Sequence, residues 1–450
     1  MGAVSGSAAM CILLVAYDFP PTRSPRALRW FYLTRELALH GHDVHVLVPD
    51  LGPAGVDFPR APGRVTVHRS FPGPFAWLSG FRQRRRGRCH GSGGTPSLGA
   101  AQAHLNWRGR LSDSAKKLAG HFVFPDVRGE WALPARRALD HLLAELKPDI
   151  VLTSHEPAVT LPLGVHANRL GFPWIADLGD PVCASYTAQR WHRRAWKLEQ
   201  RVVGAADLVL VTNDATRRLL VSRHGLEPTR CEVLPNGYDD RRLRSEDTAS
   251  TPFTFDSRWL ELVYAGRLYG YRSPRPLLQA VSATPGVRLT MVIPDPPSGE
   301  GAAALFSEAG ERLRVSGPLP HAQVLGLLER ADVLVNFGDE GQPVRTPAKL
   351  FEYFGIPRPI LHVHSQGADA AAELLSDVER GWISNNDPES LATRLGQLVQ
   401  EKRAGRLTHG LSLEPLRDYA HSALGARLER ALARIAAARE VNCRSPASQG

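Results

Sequence analysis

The first half of the chain repeats a pattern of short apolar runs separated by amphipathic stretches of helical length. The apolar run CILLVAY starts at Cys11, an amphipathic stretch covers about Arg26 to His40, and a second apolar run covers Val44 to Val48. Short apolar runs joined by one helix indicate parallel strands with a right-handed crossover. The pattern therefore predicts a strand–helix–strand unit at the start of the chain.

Similar units recur up to about residue 240. The further elements predicted there are strands at Ile150 to Thr153, Trp174 to Asp177 and Asp207 to Val211, and helices at Ala135 to Leu146 and Trp191 to Ala205. Strands that alternate with helices form a doubly wound parallel sheet. We expect a disordered lead over residues 1–10 and a Rossmann-like domain over residues 11–240.

The alternation restarts after a polar segment at residues 241–258, which we interpret as a linker. The strands predicted beyond it are Leu262 to Tyr264, Val287 to Ile293, Leu313 to Val315, Val333 to Asn336 and Ile360 to Val363, and helices are predicted to begin near Pro274, Pro320, Pro347 and Pro388. Proline suits a first helical turn, where its missing N–H has no helical partner to lose. Residues 259–412 are therefore expected to form a second Rossmann-like domain.

The last segment, residues 413–440, places small and apolar side chains on one helical face between Leu416 and Ala437. This amphipathic helix could pack back on the N-terminal domain. Ligands of open α/β sheets bind beyond the carboxyl ends of the strands. The predicted fold class is thus α/β, with two doubly wound domains that face a cleft.

The periodic pattern fails in residues 71–110, a segment punctuated by glycine, proline and serine. It contains a basic run from Arg82 to Arg88, and Phe75, Trp77 and Phe81 precede that run. We interpret the segment as a long mobile loop. The arginines could dock on an anionic membrane surface, where each adds about 1 kcal/mol of binding free energy, or they could lie on a loop in solution.

The charge distribution adds a functional hint to this picture. The 450 residues are 43% hydrophobic and 22% charged, which suits two domain cores. Residues 51–150 hold 16 basic and 7 acidic side chains, so most of the net charge of +10 lies in one hundred residues. This asymmetry favours an anionic partner, although an arginine-rich composition can also reflect genome base composition. Nucleic acid is not the expected partner, because no recognised binding module surrounds the arginines.

Cysteine usage and apolar runs bear on the compartment. The five cysteines are scattered without a CxxC pair or a zinc-ligand spacing, and no apolar run reaches the roughly 18 residues that span a bilayer. The N-terminus lacks the basic start and long apolar core of a signal peptide. We expect a cytoplasmic protein without metal or cofactor, which is peripheral on the inner face of the plasma membrane if the basic loop binds lipid.

The loop after the first strand, YDFPPTRSPRALRW, contains no glycine, which argues against a dinucleotide at that position. Ser24 can cap the following helix, with Pro25 at its first position. Arg23, Arg26 and Arg29 form a cationic corner that could seat an anionic acceptor, or they could be solvated arginines. Arg23 and Arg26 are the acceptor-binding candidates.

Three acid–base candidates follow two neighbouring strands of the first sheet. His155 follows the strand DIVLTS, and Asp177 and Asp180 follow the strand that comes next in the chain. The carboxyl ends of parallel strands meet at one edge of the sheet, so all three side chains could reach the cleft. A role as hydrogen-bonded loop residues is the alternative for each of them.

Charged side chains also follow two strands of the second domain. Arg267 and Arg272 lie beyond the strand LELVYAG, and the segment after DVLVNFG leads into a helix with Lys349 and Glu352. Guanidinium and ammonium groups there could neutralise a diphosphate, and Glu352 could accept hydrogen bonds from a ribose diol. The alternative for Glu352 is an exposed ion pair with Lys349 at i,i+3.

These segments resemble those of GT-B-fold glycosyltransferases of family 4, especially the bacterial branch that builds surface polysaccharides. The resembling segments, in chain order, are PPTRSPRALRWFYLTRELALHGHDVHVL, FPWIADLGDP, VLPNGYD, VYAGRL and PAKLFEYFGIPRPIL. They follow the family's order over nearly the full chain, so the resemblance is more specific than any single motif.

The resemblance implies a retaining, metal-independent enzyme that transfers a sugar from a nucleotide diphosphate sugar to a glycan or lipid-linked acceptor. Donor binding would involve Arg267, Arg272, Lys349 and Glu352. Such enzymes often need no protein nucleophile, because a leaving phosphate oxygen can accept the acceptor's proton. Their main task is to hold two substrates and stabilise the diphosphate charge.

Three positions depart from the family's pattern. The family has a glutamate where this chain has Val344, usually a lysine where it has Arg272, and an arginine where it has Gly179, between Asp177 and Asp180. Two alternatives therefore stay open. One is a GT-B-fold sugar-nucleotide epimerase, and the other is a non-catalytic sugar-nucleotide-binding or scaffold protein.

Overall fold

The computed structural model describes residues 8–22, 24–52, 63–78, 124, 126–241, 251–268, 273–293, 310–339, 341, 344–364 and 367–444. Arg23, Arg272 and the run from Arg82 to Arg88 lie outside the described residues. The chain divides into two compact units, one formed by residues 1–234 with 425–450 and the other by residues 235–424. Each unit contains one parallel sheet with helices.

Five of the seven strands described in the first unit follow the predicted apolar runs, whereas the strands at Val65–Ser70 and Cys231–Val233 were not predicted. The seven strands are β1 (Cys11–Val15), β2 (Asp43–Pro49), β3 (Val65–Ser70), β4 (Ile150–Ser154), β5 (Trp174–Gly179), β6 (Leu208–Val211) and β7 (Cys231–Val233). Within the described residues they form one parallel sheet in the order β3-β2-β1-β4-β5-β6-β7. The central strand β1 is fully buried from Ile12 to Val15, as expected for a parallel sheet covered by helices on both faces.

Besides a helical stretch at residues 74–78, five helices connect these strands in the described part of the first unit. They are α1 (Pro25–Leu39), α2 (Ala132–Leu146), α3 (Leu161–Arg169), α4 (His192–Ala205) and α5 (Asp214–His224). Helix α1 begins as predicted, because the Ser24 hydroxyl accepts a hydrogen bond from Ala27 N at 3.1 Å and Pro25 is the first helical residue. This cap fixes the position of the first turn of α1, which carries Arg26 and Arg29.

The second unit repeats the architecture on a smaller sheet. Its strands are β8 (Leu260–Ala265), β9 (Val287–Val292), β10 (Leu313–Ser316), β11 (Val333–Phe337), β12 (Ile360–His364) and β13 (Gly381–Asn385). Its helices are α6 (Arg275–Ala283), α7 (His321–Arg330), α8 (Ala348–Tyr353), α9 (Ala370–Asp377) and α10 (Pro388–Arg403). The described strands are parallel, in the order β10-β9-β8-β11-β12-β13. The predicted class of two doubly wound α/β domains is confirmed.

The strand order reverses between β1 and β4 in the first sheet and between β8 and β11 in the second. At such a switch point the connections leave in opposite directions and open a crevice at the carboxyl ends of the strands. The loops that follow these strands therefore hold the residues of interest in each unit.

The last helix, α11 (His421–Arg444), begins later than the predicted start near Leu416, because Arg417–Tyr419 forms a 3₁₀ turn. Glu429 of this helix lies 2.7 Å from His40 Nδ1, at the end of α1. The described part of the chain includes no helix with the length and apolar content needed to cross a lipid bilayer.

Residues 74–78 are helical, although the sequence predicted a loop there. The Glu130 carboxylate accepts hydrogen bonds from Phe75 N at 2.9 Å and from Ala76 N at 2.7 Å. This distant carboxylate satisfies N–H groups of the first turn, as a local capping residue would. The sequence pattern held no sign of it, because Glu130 lies 55 residues away from Phe75.

Candidate functional site

The carboxyl end of β5 is organised around Asp177, whose side chain is fully buried. Its Oδ2 atom accepts a hydrogen bond from Trp30 Nε1 at 3.1 Å and lies 3.5 Å from Arg29 Nε and 3.7 Å from Arg26 Nη1. All three partners are on helix α1. A buried carboxylate is stable only when paired in this way, so Asp177 joins α1 to the sheet.

A β-bulge ends strand β5. Asp177 pairs with Leu210 and Gly179 pairs with Val211, so Leu178 has no residue opposite it on β6. A bulge bends a strand and turns the following side chains in a new direction. Gly179 adopts a φ of +59°, a left-handed conformation that glycine tolerates best.

Arg26 lies on the open face of Gly179. A Cβ atom at position 179 would lie 1.8 Å from Arg26 Nη2 and 2.0 Å from Nη1, so the guanidinium occupies the space of a side chain there. Arg26 Nη2 also lies 3.9 Å from Asp180 Oδ2, and both side chains are 15% exposed. The predicted cationic corner is therefore balanced by carboxylates, and the alternative of solvated arginines is wrong for Arg26 and Arg29.

His155 is also buried at this edge. Its backbone N–H donates to Asp177 O at 2.9 Å, and its Nδ1 lies 3.0 Å from Leu178 O. Because a carbonyl oxygen only accepts, Nδ1 carries a hydrogen and donates it to Leu178 O. The structure thus brings His155, Asp177 and Asp180 to one edge, as their strand positions predicted, and adds Arg26 from helix α1, which those positions did not predict.

Asp18 is a residue at this edge that the sequence analysis did not single out. It follows β1, next to the switch point, and burial raises its pKa although Ser24, Arg128 and Arg26 oppose the shift. A carboxyl group with a raised pKa beside a crevice is a common feature of functional sites. Its position after the central strand was a usable signal, but its burial could not be read from the sequence.

The second unit places Lys349 at the carboxyl end of β8. Lys349 Nζ lies 3.9 Å from the centre of the Tyr264 ring, in cation–π geometry. A Cβ atom at position 266 would lie 2.1 Å from this Nζ, so Gly266 lets the ammonium approach the backbone. Gly266 has a φ of +141°, which disfavours other residues there.

Tyr353 fixes the short helix α8 against the sheet. Its hydroxyl accepts from Ala265 N at 3.4 Å and donates to Val335 O at 3.3 Å, so it bridges β8 and β11 at their switch point. Lys349 lies four residues before Tyr353, on the same face of the helix. The hydrogen bonds of Tyr353 to β8 and β11 therefore hold Lys349 at the end of β8.

Arg267 is exposed directly after Gly266, and its backbone oxygen accepts a hydrogen bond from the Tyr264 hydroxyl at 2.9 Å. The Glu352 side chain is 37% exposed, and its Oε1 lies 3.8 Å from Nε2 of His321, at the start of α7. The sequence left open an ion pair between Glu352 and Lys349. In the structure Glu352 contacts His321 instead, and Lys349 makes the cation–π contact with Tyr264.

Asp339 is a second carboxylate that the sequence analysis did not consider. It lies just after β11, its side chain is fully buried, and its Oδ2 lies 3.6 Å from Arg345 Nε. Position 344, where the resembled family has a glutamate, is Val344 in this chain. The described residues of this loop thus contain a carboxylate five positions earlier.

A buried polar row links the ends of β11 and β12 to helix α9. Asn336 Nδ2 donates to His362 Nδ1 at 2.7 Å, and His362 Nε2 lies 2.9 Å from Asp369 Oδ2. Burial raises the pKa of Asp369, but the hydrogen bond and charge of His362 and the amides of Ala371 and Ala372 outweigh it, so the pKa lies below its usual value. The row thus joins β11 and β12 to the first turn of α9.

The described residues contain no group of three or more His, Cys, Asp or Glu side chains arranged to hold a metal ion. Of the predicted site residues, Arg23 and Arg272 lie outside the described residues. His155, Asp180 and Arg267 follow β4, β5 and β8, and the remaining candidates on helices lie on α1 and α8. Asp177 was predicted to follow its strand but lies within β5, because that strand continues to Gly179.

Residues 101–242 match the protein-family model for Glycosyltransferase Family 4. A D-inositol 3-phosphate glycosyltransferase from Mycobacterium bovis is 29% identical over 208 residues, which cover 39% of this chain and 42% of that protein. The chain thus spans less than half the length of this curated relative. The resemblance to family 4 glycosyltransferases is confirmed.

Solved structures share the fold at low sequence identity. Sucrose-phosphate synthase from Thermosynechococcus elongatus aligns with a TM-score of 0.65 at 14% identity, covering 95% of this chain and all of that one. UDP-GlcNAc 2-epimerase from Neisseria meningitidis, bound to UDP-GlcNAc, aligns with a TM-score of 0.53 at 11% identity, covering 94% of this chain and all of that one. Both likenesses concern the fold alone and agree with two Rossmann-like domains of the GT-B type.

Proposed function

We propose that this chain, which has a GT-B fold and a family 4 glycosyltransferase region at residues 101–242, transfers a sugar from a nucleotide diphosphate sugar to a glycan, a lipid-linked glycan or another small acceptor. The main supporting observation is the Lys349 ammonium beside Gly266, at the carboxyl end of β8. A cation at a topological switch point is well placed to bind a diphosphate.

The second unit would hold the donor. Lys349 and Arg267 would neutralise the two phosphates, and Arg272 would add a third cation. The half-exposed carboxylate of Glu352 could accept two hydrogen bonds from a ribose diol. A carboxylate close to the diphosphate would repel it, so we assign Glu352 to the ribose and not to the phosphates. Its contact with His321 is compatible with that assignment.

The first unit would hold the acceptor, at the carboxyl ends of β1, β4 and β5, with Arg23 and Arg26 among its residues. In the transfer, the bond between the anomeric carbon and the leaving phosphate oxygen breaks. A bond from the acceptor oxygen forms on the same face, and the acceptor's proton passes to the leaving phosphate oxygen, so configuration is retained. The protein's contribution is to position both substrates and stabilise the diphosphate charge.

Asp177 is the least suited of the acid–base candidates, because α1 supplies three partners to its buried carboxylate. His155 and Asp180 remain as groups that could orient an acceptor hydroxyl. His155 would do so through Nε2, since Nδ1 donates to Leu178 O.

Incubation with a panel of nucleotide sugars tests the proposal. UDP-glucose, UDP-N-acetylglucosamine, GDP-mannose and ADP-glucose would each be followed for slow release of the nucleoside diphosphate. We expect release from at least one of them, and loss of that release in the folded double variant Arg267→Ala/Glu352→Ala. Full turnover by this double variant would contradict the site.

The same experiment separates the two alternatives. An epimerase would convert the nucleotide sugar into its epimer without releasing nucleoside diphosphate, which NMR of the sugar protons detects. A non-catalytic binding protein would bind the nucleotide and leave all sugars unchanged. The epimerase remains worth testing because a structure of that class shares the fold.

A finer proposal concerns the place of action: polysaccharide or glycoconjugate synthesis at the inner face of the plasma membrane. Phe71, Trp77 and Leu78 are 50%, 52% and 46% exposed. The run from Arg82 to Arg88 follows them in the sequence, outside the described residues. Exposed aromatic and aliphatic side chains next to basic residues suit an anionic lipid surface.

Co-sedimentation with vesicles tests this attachment. Wild type should bind vesicles that contain phosphatidylglycerol and not vesicles of phosphatidylcholine alone. The variant would carry glutamine at five arginines, namely Arg82, Arg84, Arg85, Arg86 and Arg88. Unchanged binding by this variant would refute the membrane role of the basic run.

A further inference from the structure

Helix α1 supplies a cationic side chain, Arg26, at the end of β5, where the strand itself has a glycine. Gly179 lies between Asp177 and Asp180 and contributes no side chain, and the Arg26 guanidinium fills the space in which one would begin. We propose that Arg26 is a positioning residue that replaces a side chain at position 179 and holds Asp180 for the acceptor. The functional part of this inference rests on the proposed glycosyltransferase activity.

The two carboxylates that Arg26 contacts differ in exposure. The Asp177 side chain is fully buried and has Arg29 and Trp30 as further partners, whereas the Asp180 side chain is 15% exposed. Arg26 lies 3.7 Å from the first and 3.9 Å from the second. A guanidinium can serve two carboxylates at once because its N–H groups form a rigid planar fork. The fully buried aspartate thus helps to fix Arg26, and Arg26 in turn contacts the partly exposed Asp180.

The backbone at position 179 makes this arrangement possible. The φ of +59° and the missing Cβ allow the guanidinium to lie against the chain. Any side chain at 179 would collide with Arg26 within 2.2 Å. The sequence pattern of the resembled family has an arginine at this position, so the same charge is delivered here from helix α1 instead of β5.

Four variants test the replacement. Arg26→Ala removes the cation, and Gly179→Ala displaces it while keeping the charge. Arg26→Ala/Gly179→Arg moves the charge to the strand, and Arg26→Ala/Gly179→Gln adds a side chain without charge. Arg136→Ala, which breaks an exposed contact to Asp140, is the surface control.

Two readouts are expected to move together. Arg26→Ala should lower the midpoint of thermal unfolding by roughly 6 °C or more, because a buried carboxylate loses a partner. It should lower kcat for nucleotide-sugar hydrolysis, with water as the acceptor, about 10-fold, while KM for the nucleotide sugar stays within about two-fold. Gly179→Ala should also lower the unfolding midpoint and kcat, but by less than Arg26→Ala does. Arg26→Ala/Gly179→Arg should recover at least half of each loss that Arg26→Ala causes. Arg26→Ala/Gly179→Gln should not recover them.

The replacement is refuted if the arginine double variant is no better than Arg26→Ala in either readout. It is also refuted if Gly179→Ala behaves as wild type in both. A change in KM rather than kcat would contradict the role at the acceptor. If wild-type protein releases no nucleoside diphosphate from any sugar, the proposed function fails, and the unfolding midpoints alone decide whether Arg26 replaces a side chain at position 179.

Discussion

Both sheets place acidic and basic side chains at their carboxyl ends, but the two sets have different surroundings. In the first unit, Asp177 is fully buried and bound by three side chains of one helix. In the second, Glu352 is 37% exposed, and Lys349 lies against an aromatic ring and a glycine. The first arrangement mainly joins elements of the fold, whereas the second leaves the Glu352 carboxylate partly open to solvent.

This difference separates structural charge from charge that suits a ligand. A buried carboxylate with several donors cannot lose them without a large penalty. A cation held at an aromatic face beside a glycine lies where an anionic ligand can reach it.

Asp177→Asn should destabilise the first unit most. Two guanidinium groups would lose their buried countercharge, so the free energy of unfolding should fall by about 3–5 kcal/mol. Urea denaturation followed by tryptophan fluorescence measures the change. Asp214→Asn, which breaks an exposed pair with Arg217 at 2.6 Å, should change it by less than about 1 kcal/mol. Equal effects of the two variants would contradict the structural role of Asp177.

Lys349→Ala should weaken binding of nucleoside diphosphate about 100-fold, because the diphosphate loses a charged partner. Isothermal calorimetry measures the affinity. Lys402→Ala is the matched control, since Lys402 Nζ donates to Trp259 O at 2.6 Å, next to the amino end of β8. That control should lower stability and leave affinity unchanged. Full affinity in folded Lys349→Ala protein would rule out the donor role of this lysine.

Gly266→Ala should weaken the same binding about 10-fold, less than removal of Lys349. The new methyl group would meet the end of a flexible side chain, Lys349 Nζ at 2.1 Å, which can shift aside. The φ of +141° adds backbone strain. A loss as large as that of Lys349→Ala would mean that the glycine backbone itself, rather than the space for the ammonium, is needed.

Asp369 should make the second unit acid-sensitive. Its pKa is lowered in the folded protein, so its stabilising contribution is complete above the ordinary aspartate pKa of about 3.9 and is lost as the pH falls through the lowered value. The stability difference between wild type and Asp369→Asn should therefore shrink below about pH 4. A difference that stays constant from pH 7 to pH 2 would contradict the lowered pKa of Asp369.

The sequence predicted the architecture because buried parallel strands have a strong apolar signature. The runs at Cys11, Ile150 and Trp174 became β1, β4 and β5, and Ser24 caps α1 as expected. Strand ends also predicted which polar residues share an edge, such as His155 and Asp177. Local pattern was sufficient for these features.

Partner choice was harder to predict, because it depends on long-range packing. The i,i+3 spacing suggested that Glu352 might pair with Lys349, but Tyr353 anchors α8 so that Lys349 meets Tyr264. The pairing of Arg26 with Asp177 joins residues 151 positions apart in the sequence. The electrostatic interaction of Asp18 with Arg128 likewise joins residues far apart in the chain. Spacing along one helix or strand carries no information about such contacts.

Calorimetric titration of the full chain with UDP, GDP and ADP tests the central claim most directly, namely that the end of β8 binds the diphosphate of a nucleotide sugar. We predict that wild type binds at least one of the three with a Kd of roughly 1 μM to 1 mM. Arg267→Ala and Lys349→Ala should each weaken that binding at least 10-fold, whereas Asp214→Asn should not change it. Binding to none of the three nucleotides by folded wild-type protein, or equal binding by the Lys349→Ala variant, would contradict the account.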